Sequence, residues 1–256
     1  MTLPAVLVPP DDPCAPMVER LERMNTDLEE FACFMSHDLQ EPLRTIAGFA
    51  DLIALKLNGH LDPEAKEWIG QLTAGCRRLA KKHQDFLDYM RAATRNEDDL
   101  ADVMGPFDLH AALDEAIEAM WIPIRETDAK IIKIPALWPR AYGSAPLITQ
   151  VFQNLISNSL KYRRTRPEIR VTVTVRDRAV IEVAFADNGI GFQAAHAETI
   201  FKMGKRLHPD DGTYSGSGFG LAMCRRIIDE HHGRIWAEGD TGKGATIRFQ
   251  IPAATQ

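Results

Sequence analysis

The chain of 256 residues reads as an α+β protein: an antiparallel two-helix hairpin, a four-helix bundle once dimerised, followed by an α/β sandwich. Three observations predict this. Apolar residues recur in steps of three and four from Leu21 to Ile53, and a second helical stripe runs from Trp68 to Met90. An acidic, turn-forming stretch follows. Beyond it, helical stripes mix with segments that alternate at period two, and helices on one face of a mixed sheet satisfy that mixture.

Residues 1–16 are expected to be a disordered lead-in. They hold Pro4, Pro9, Pro10 and Pro13 and lack the basic start and small-residue cleavage site of a signal peptide. The first stripe runs Leu21, Met24, Leu28, Phe31, Met35, Leu39, Pro42, Ile46, Phe49, Ile53. Pro42 has no N–H and crowds the preceding turn, so a kink is expected there. Asn58-Gly59-His60-Leu61-Asp62-Pro63 ends one helix and caps the next. The second stripe is Trp68, Ile69, Leu72, Cys76, Leu79, Phe86, Leu87, Met90. Two long helices joined by a short loop make a hairpin over 17–93. Alone it cannot bury both faces, so a homodimer is expected.

Thr94 to Gly105 carries Glu97, Asp98, Asp99 and Asp102 and closes on Gly105-Pro106; it reads as the linker, residues 94–105. The sandwich follows over 106–252. Helices are expected from Asp108 to Met120 with Asp108 as cap, from Pro146 to Tyr162, and from Leu221 to His231. Strands are expected at Ile169–Val175, Ile181–Phe185, Arg234–Ala237 and Ala245–Ile251.

Composition excludes several classes. A net charge of -6 argues against bulk nucleic-acid binding. The cluster Lys161, Arg163, Arg164, Arg166, Arg170 comes without a helix-turn-helix pattern or stacking aromatics. It reads as a solvated loop or a surface steering an anion. The four cysteines form no CxxC pair, so neither zinc nor a disulfide framework is indicated. No apolar run approaches the ~20 residues that span a bilayer. A cytoplasmic protein without direct membrane insertion is expected.

Chemistry concentrates in four places. His37 lies about 160–200° around its helix from Met35 and Leu39, at ~100° per residue, and so points away from the apolar stripe. A neutral imidazole is a nucleophile, and the adjacent Asp38 is placed to orient or deprotonate it. Asn154, Asn158, Lys161 and Tyr162 share one helix face. Amide oxygen suits Mg²⁺ and lysine neutralises phosphate; a merely solvated face is the bland alternative. Asp187-Asn188-Gly189-Ile190-Gly191 follows a strand, where a carboxylate can accept from an adenine amine and glycines let the base approach. An ordinary Asp-Asn-Gly turn explains that segment equally well. Gly216, Gly218 and Gly220 open a helix and expose N–H groups to phosphate. Neither a Walker loop nor a Rossmann fingerprint is present. The latter part of 194–215 reads as a lid. Within it Lys205, Arg206 and His208 read equally as phosphate contacts or plain surface charge.

Taken together these segments resemble the sensor histidine kinases of two-component systems. They are most like the subgroup with a His-Asp-Leu-Gln-Glu-Pro box, found in many bacterial phytochromes; here that box is His37 to Pro42. The likeness runs from about Met17 to Pro252, with the motifs in family order. It implies a dimerisation and phosphotransfer hairpin followed by a GHKL-type ATP-binding domain. By that likeness His37 is phosphorylated from ATP and passes the group to an aspartate on a response regulator receiver domain. Asp38 activates His37, and Asn158 holds Mg²⁺, with Asn154, Lys161 and Tyr162 beside the phosphates. Asp187 meets adenine with support from Thr246, and Gly189, Gly191, Gly216, Gly218 and Gly220 take the flexible-loop positions. Two positions depart from common patterns. Gly204 stands where the subgroup often has a second aromatic after Phe201, which implies a looser lid. Glu41 stands where many kinases carry the Thr or Asn used in dephosphorylating the partner. No sensor is recognisable, so the signal is expected from a separate or missing module. The main rival is a dimeric phosphotransfer adaptor with a weakened ATP domain. Another GHKL ATPase, a chaperone or topoisomerase-type clamp, is disfavoured by the His37 box.

Overall fold

The structure is a computed structural model that describes residues 42–57, 61–93, 95, 100–176, 179–207 and 217–254. The chain divides into two compact units between Thr94 and Arg95.

In the first unit, α1 occupies 42–56 and α2 runs Pro63–Ala93. Asp62 caps α2 as its sequence predicts: its Oδ1 accepts from the Ala65 N–H at 2.7 Å, and Pro63 sits at the first helical position. The kink expected at Pro42 and the turn centred on Gly59 lie at or beyond the edges of the described residues. The stripe on α2 splits in two. Thr73, Cys76, Leu87 and Met90 are buried, as is Ala50 of α1, whereas Trp68, Leu72 and Leu79 are exposed, as is Phe49 of α1. Two helices can bury only the seam between them, so the rest of a wide apolar stripe stays outside.

The second unit is the expected sandwich. A five-stranded sheet has the order β2-β4-β5-β7-β6, built from Lys130–Ile134, Glu168–Arg176, Val180–Asp187, Gly244–Pro252 and Arg234–Asp240. Only β2 and β4 run parallel; the other pairs are antiparallel. A smaller ribbon pairs β1 (Gly105–Asp108) with β3 (Arg140–Gly143) and touches the large sheet through the Ala141–Ala253 bridge. The helices are α3 (Leu109–Ala119), α4 (Trp121–Glu126), α5 (Ala145–Lys161) and α6 (Gly220–Glu230). Asp108 caps α3 through bonds of 2.8 and 3.2 Å from the N–H groups of His110 and Ala111.

Alternation in the strands sets the core. Val173, Val183, Phe249 and Ile235 lie side by side across four strands. Val171, Phe185, Ile247 and Ala237 form the next row. All eight are buried, and α5 covers them with Ile148, Phe152, Leu155 and Ile156. The Phe152 and Phe249 rings meet at 5.9 Å between centroids and 60°. Each such side chain contributes roughly 1.5–3 kcal/mol on burial, so this face drives folding. On the opposite face Glu182 is held by Gln250, Arg176 and Arg248, which outweigh its desolvation and keep its carboxyl below the usual range.

Four elements escaped the sequence reading: β1, β2, β3 and α4. Gly105, taken as the last linker residue, opens β1. Gly-Pro ordinarily marks a loop, but an edge strand tolerates Pro106 because one side of it needs no N–H donor. The Lys-Ile-Ile-Lys-Ile run of β2 does not alternate cleanly.

His231 ties α6 to the start of α5. Its Nε2 accepts from the Ser144 N–H at 2.9 Å, so the proton sits on Nδ1, which donates to the Ile227 carbonyl at 2.7 Å. It is 2% exposed, and burial pushes its pKa below the ordinary histidine value; His232 and Arg95 add to this and the Ile227 bond opposes it. Below pH ~6.5 the unfolded chain takes up a proton that the folded one refuses. The contribution of His231 is therefore complete above that pH and lost as pH falls. Thermal melts should show stability declining from pH 7 to pH 5.5, with a shallower decline in His231→Gln. Parallel slopes would assign the acid sensitivity to other groups.

Candidate active site

The site is built at the end of β5. Asp187 is half-buried there. Its Oδ1 accepts from the Gly189 N–H at 2.9 Å and the Ala245 N–H at 3.3 Å, and its Oδ2 accepts from the Ser159 hydroxyl at 3.1 Å. Burial raises its pKa above the usual carboxylate value, and these three bonds pull against that rise. A carboxylate so held is a fixed acceptor at the wall of a cavity.

The cavity has a volume of about 120 Å³. Asp187, Asn158, Ser159 and Tyr162 line it with Gly191 and Ala245, and apolar walls come from Leu155, Phe185, Ile190 and Ile247. An apolar-walled cavity with one anionic acceptor suits a largely apolar heterocycle bearing an amine. Lys205 and Arg206 lie on the wall as well. The Tyr162 hydroxyl accepts from Lys161 Nζ at 2.8 Å, and burial raises its pKa against the opposing charge of Arg206. Lys161 also sits 4.3 Å from the centre of that ring. Asn154 meets α6: a Cβ at Gly220 would stand 3.2 Å from its Oδ1.

Two glycines fix the floor. Gly244 (φ 97°) lies against the Asp187 carbonyl, and Gly191 (φ 63°) lies against the carbonyls of Asp240 and Gly244; a Cβ at either would overlap backbone. Gly189 backs onto the end of α5, where the Ile190 N–H donates to the Tyr162 carbonyl at 2.9 Å. Asn188 has a structural task instead: its Oδ1 accepts from the Glu168 N–H at 2.9 Å and its Nδ2 donates to the Arg166 carbonyl at 3.1 Å. The Gly204 N–H donates to the Gly218 carbonyl at 3.1 Å, backbone against backbone. Phe201 is buried under the Arg225 guanidinium, 4.4 Å from the ring centre.

Of the expected residues, Asn158, Tyr162, Asp187 and Gly191 meet at the cavity; Asn154, Lys161, Gly189, Gly218 and Gly220 lie around it. Thr246 is a correction. It pairs with Ala186 and Glu238, and alternation turns it to the face opposite Ala245 and Ile247, which line the cavity. His37, Asp38, Glu41, His208 and Gly216 lie outside the described residues. Sequence reading missed Ser159 and Ala245. A serine within the buried set Leu155, Ile156, Leu160 was the available sign of the first.

Comparison with known proteins now bears on this geometry. Residues 143–255 match the family described as histidine kinase-, DNA gyrase B- and HSP90-like ATPase. Residues 27–95 match the His kinase A phospho-acceptor domain. The chain thus joins an ATPase domain of that superfamily to a phosphoacceptor domain. It belongs to the histidine kinase family. Cyanobacterial phytochrome A of Nostoc sp. is 36% identical over 243 residues, which is 94% of this chain and 30% of that protein. The adaptive-response sensory kinase SasA of Synechocystis sp. is 27% identical over 226 residues, 88% of this chain and 59% of that one. The chain therefore spans less than two thirds of these relatives. The structure of histidine kinase ThkA in complex with response regulator protein TrrA superposes with a TM-score of 0.59 at 25% identity, covering 92% of this chain and 64% of ThkA.

No helix among the described residues is long and apolar enough to cross a membrane. Among them no cluster of three or more His, Cys, Asp or Glu residues is arranged to hold a metal.

The glycine floor gives a prediction. Gly244→Ala should cost at least ~2 kcal/mol, because both its φ and the Asp187 carbonyl oppose a Cβ. Gly204→Ala should cost about 1–2 kcal/mol, since its φ is 69° but open space surrounds its Cβ. Urea midpoints of the two variants check the ranking; an undisturbed Gly244→Ala would remove the tight contact.

Proposed function

We propose that this chain takes the γ-phosphoryl group of ATP onto His37 and passes it to an aspartate on a response regulator receiver domain. One observation carries the reading: the Asp187 acceptor closes a cavity in an ATPase-type domain on the same chain as a phosphoacceptor domain. The resemblance supports the residue roles, and the ThkA complex with TrrA supports the kind of partner.

In this reading Asp187 accepts from the adenine amine, and Leu155, Phe185 and Ile247 flank the base. Lys161, Asn154 and the backbone around Gly218 and Gly220 face the phosphates. Asn158 supplies an amide oxygen of the hard type that Mg²⁺ prefers; bound there, the ion would screen triphosphate charge. A ring nitrogen of His37 attacks the γ-phosphorus in line. The bond from that phosphorus to the β,γ-bridging oxygen breaks, ADP leaves, and Asp38 takes up the displaced ring proton. The P–N bond of the phosphohistidine then breaks on attack by the receiver carboxylate. Positioning and charge screening do most of the work. The working divisions are a hairpin at 17–93, a linker at 94–105 and a catalytic domain at 106–252. The setting is cytoplasmic, with input from a sensor module that is either a separate partner or part of a longer chain.

Incubation with γ-labelled ATP and Mg²⁺ should give label that is acid-labile and alkali-stable. His37→Gln should lose the label and still bind ATP. Asp187→Asn should lose ATP affinity at least ~10-fold while melting no lower than the parent, because it removes a half-buried charge and keeps an oxygen for Gly189 and Ala245. Label retained in His37→Gln would move the acceptor elsewhere.

The exposed Phe49, Trp68, Leu72 and Leu79 support a homodimer through the hairpin. Light scattering should give twice the monomer mass, and Phe49→Glu with Leu72→Glu should shift it to the monomer. A monomeric parent would refute the pairing.

A further inference from the structure

We infer that Ser159 is a specificity-determining residue: with Asp187 it forms a pair of acceptors that receives the amino group of the base and rejects a carbonyl in its place. The inference rests on the nucleotide reading above and adds a residue to it.

The argument starts from the hydrogen of the Ser159 hydroxyl. Ser159 is 4% exposed, sits on α5 next to Leu160, and places its Oγ 3.1 Å from Asp187 Oδ2. An ionised carboxylate only accepts, so the hydroxyl hydrogen points at Oδ2. The lone pairs of Ser159 are left facing other directions, and the residue lines the cavity. Asp187 Oδ1 is already engaged by two backbone N–H groups. Oδ2 has spent one acceptor position on Ser159 and keeps another. The carboxylate and hydroxyl together thus offer acceptors and no donor to a ligand. An exocyclic amine brings two N–H donors and satisfies both. A carbonyl oxygen in the same place would meet two lone-pair-bearing atoms, and burying acceptors without partners is costly. Ser159 also favours the ionised form of Asp187, which preserves this polarity in a desolvated place.

A purely structural serine would hold the carboxylate in place and affect every nucleotide alike. The experiment separates the two. Binding of ATP and of inosine triphosphate, in which a carbonyl replaces the amine, is measured by calorimetry on the full chain from pH 5 to pH 8. The parent should prefer ATP. Ser159→Ala should lose roughly tenfold in ATP affinity with little change for inosine triphosphate, so that the preference narrows. Its loss of ATP binding on acidification should begin at higher pH. Ser159→Thr, which keeps the hydroxyl, should restore the preference. Ser159→Cys, near in volume and poor as an acceptor, takes the place of the alanine variant if that fails to fold, with the same expectation. Equal losses for both nucleotides, or none, would overturn the inference while leaving the ATP site intact. A parent that binds neither nucleotide would overturn the nucleotide reading and this inference with it.

Discussion

The second unit is organised around one half-buried carboxylate. Asp187 stands where β5 ends, and three hydrogen bonds there oppose the desolvation that disfavours its charge. Two backbone N–H groups and one hydroxyl converge on it from three segments: its own turn, β7 and α5. That convergence requires β7 to run beside β5 in a register that brings Ala245 alongside. It also requires α5 to lie across the sheet at a height that brings Ser159 down. The Phe152–Phe249 contact and the rows of apolar side chains beneath set that height. Packing thereby positions a polar site whose own bonds are individually worth about 1 kcal/mol.

The same centre explains the glycines. Gly244 touches the backbone of Asp187, and Gly191 touches the backbone of Asp240 and Gly244. A side chain at either would push the strand-end turns apart and move Ala245 away from the carboxylate. Their role is close approach between segments rather than motion. The Gly204–Gly218 hydrogen bond belongs to the same class of contact. Gly204 holds a φ of 69°, which an aromatic residue would adopt only under strain. The expectation of a loosened lid came from counting a missing ring; the backbone bond gives that glycine a positive use.

Much of this was legible in the sequence, and what was not has a physical reason. Long amphipathic stripes announce helices, and alternation announces β4, β5 and β7, because periodicity is local. Asp187, Asn158 and Tyr162 line one cavity, and the strand end and the shared helix face that bring them there are local features of the sequence. Ser159 was hidden because its partner lies 28 positions away, and a lone serine in an apolar stripe has many meanings. The ribbon of β1 and β3 was missed because its strands are four residues each and one holds a proline. Thr246 was a different kind of error. Ile247, Phe249 and Ile251 already fixed the inward face of β7, so alternation alone places Ala245 inward and Thr246 outward. The resemblance that suggested Thr246 carries no information about which face of β7 the residue occupies.

The balance of costs at Asp187 also bears on the choice between a kinase and a phosphotransfer adaptor. An adaptor needs a dimeric hairpin and a reactive histidine. It gains nothing from a desolvated carboxylate whose pKa is pushed up by its surroundings. An amide at the same place would keep an oxygen for Gly189 and Ala245 without the charge, and the empty domain would be easier to fold. A fold that accepts such a cost at one point, while satisfying hydrogen bonds around it with three donors, is shaped for something that arrives later. A cationic or neutral donor group entering the cavity recovers the cost through a charge-assisted bond formed out of water. The interaction that weakens the empty domain is therefore the one that makes ligand binding strong. That coupling is the argument for reading the second unit as a working nucleotide site rather than a remnant.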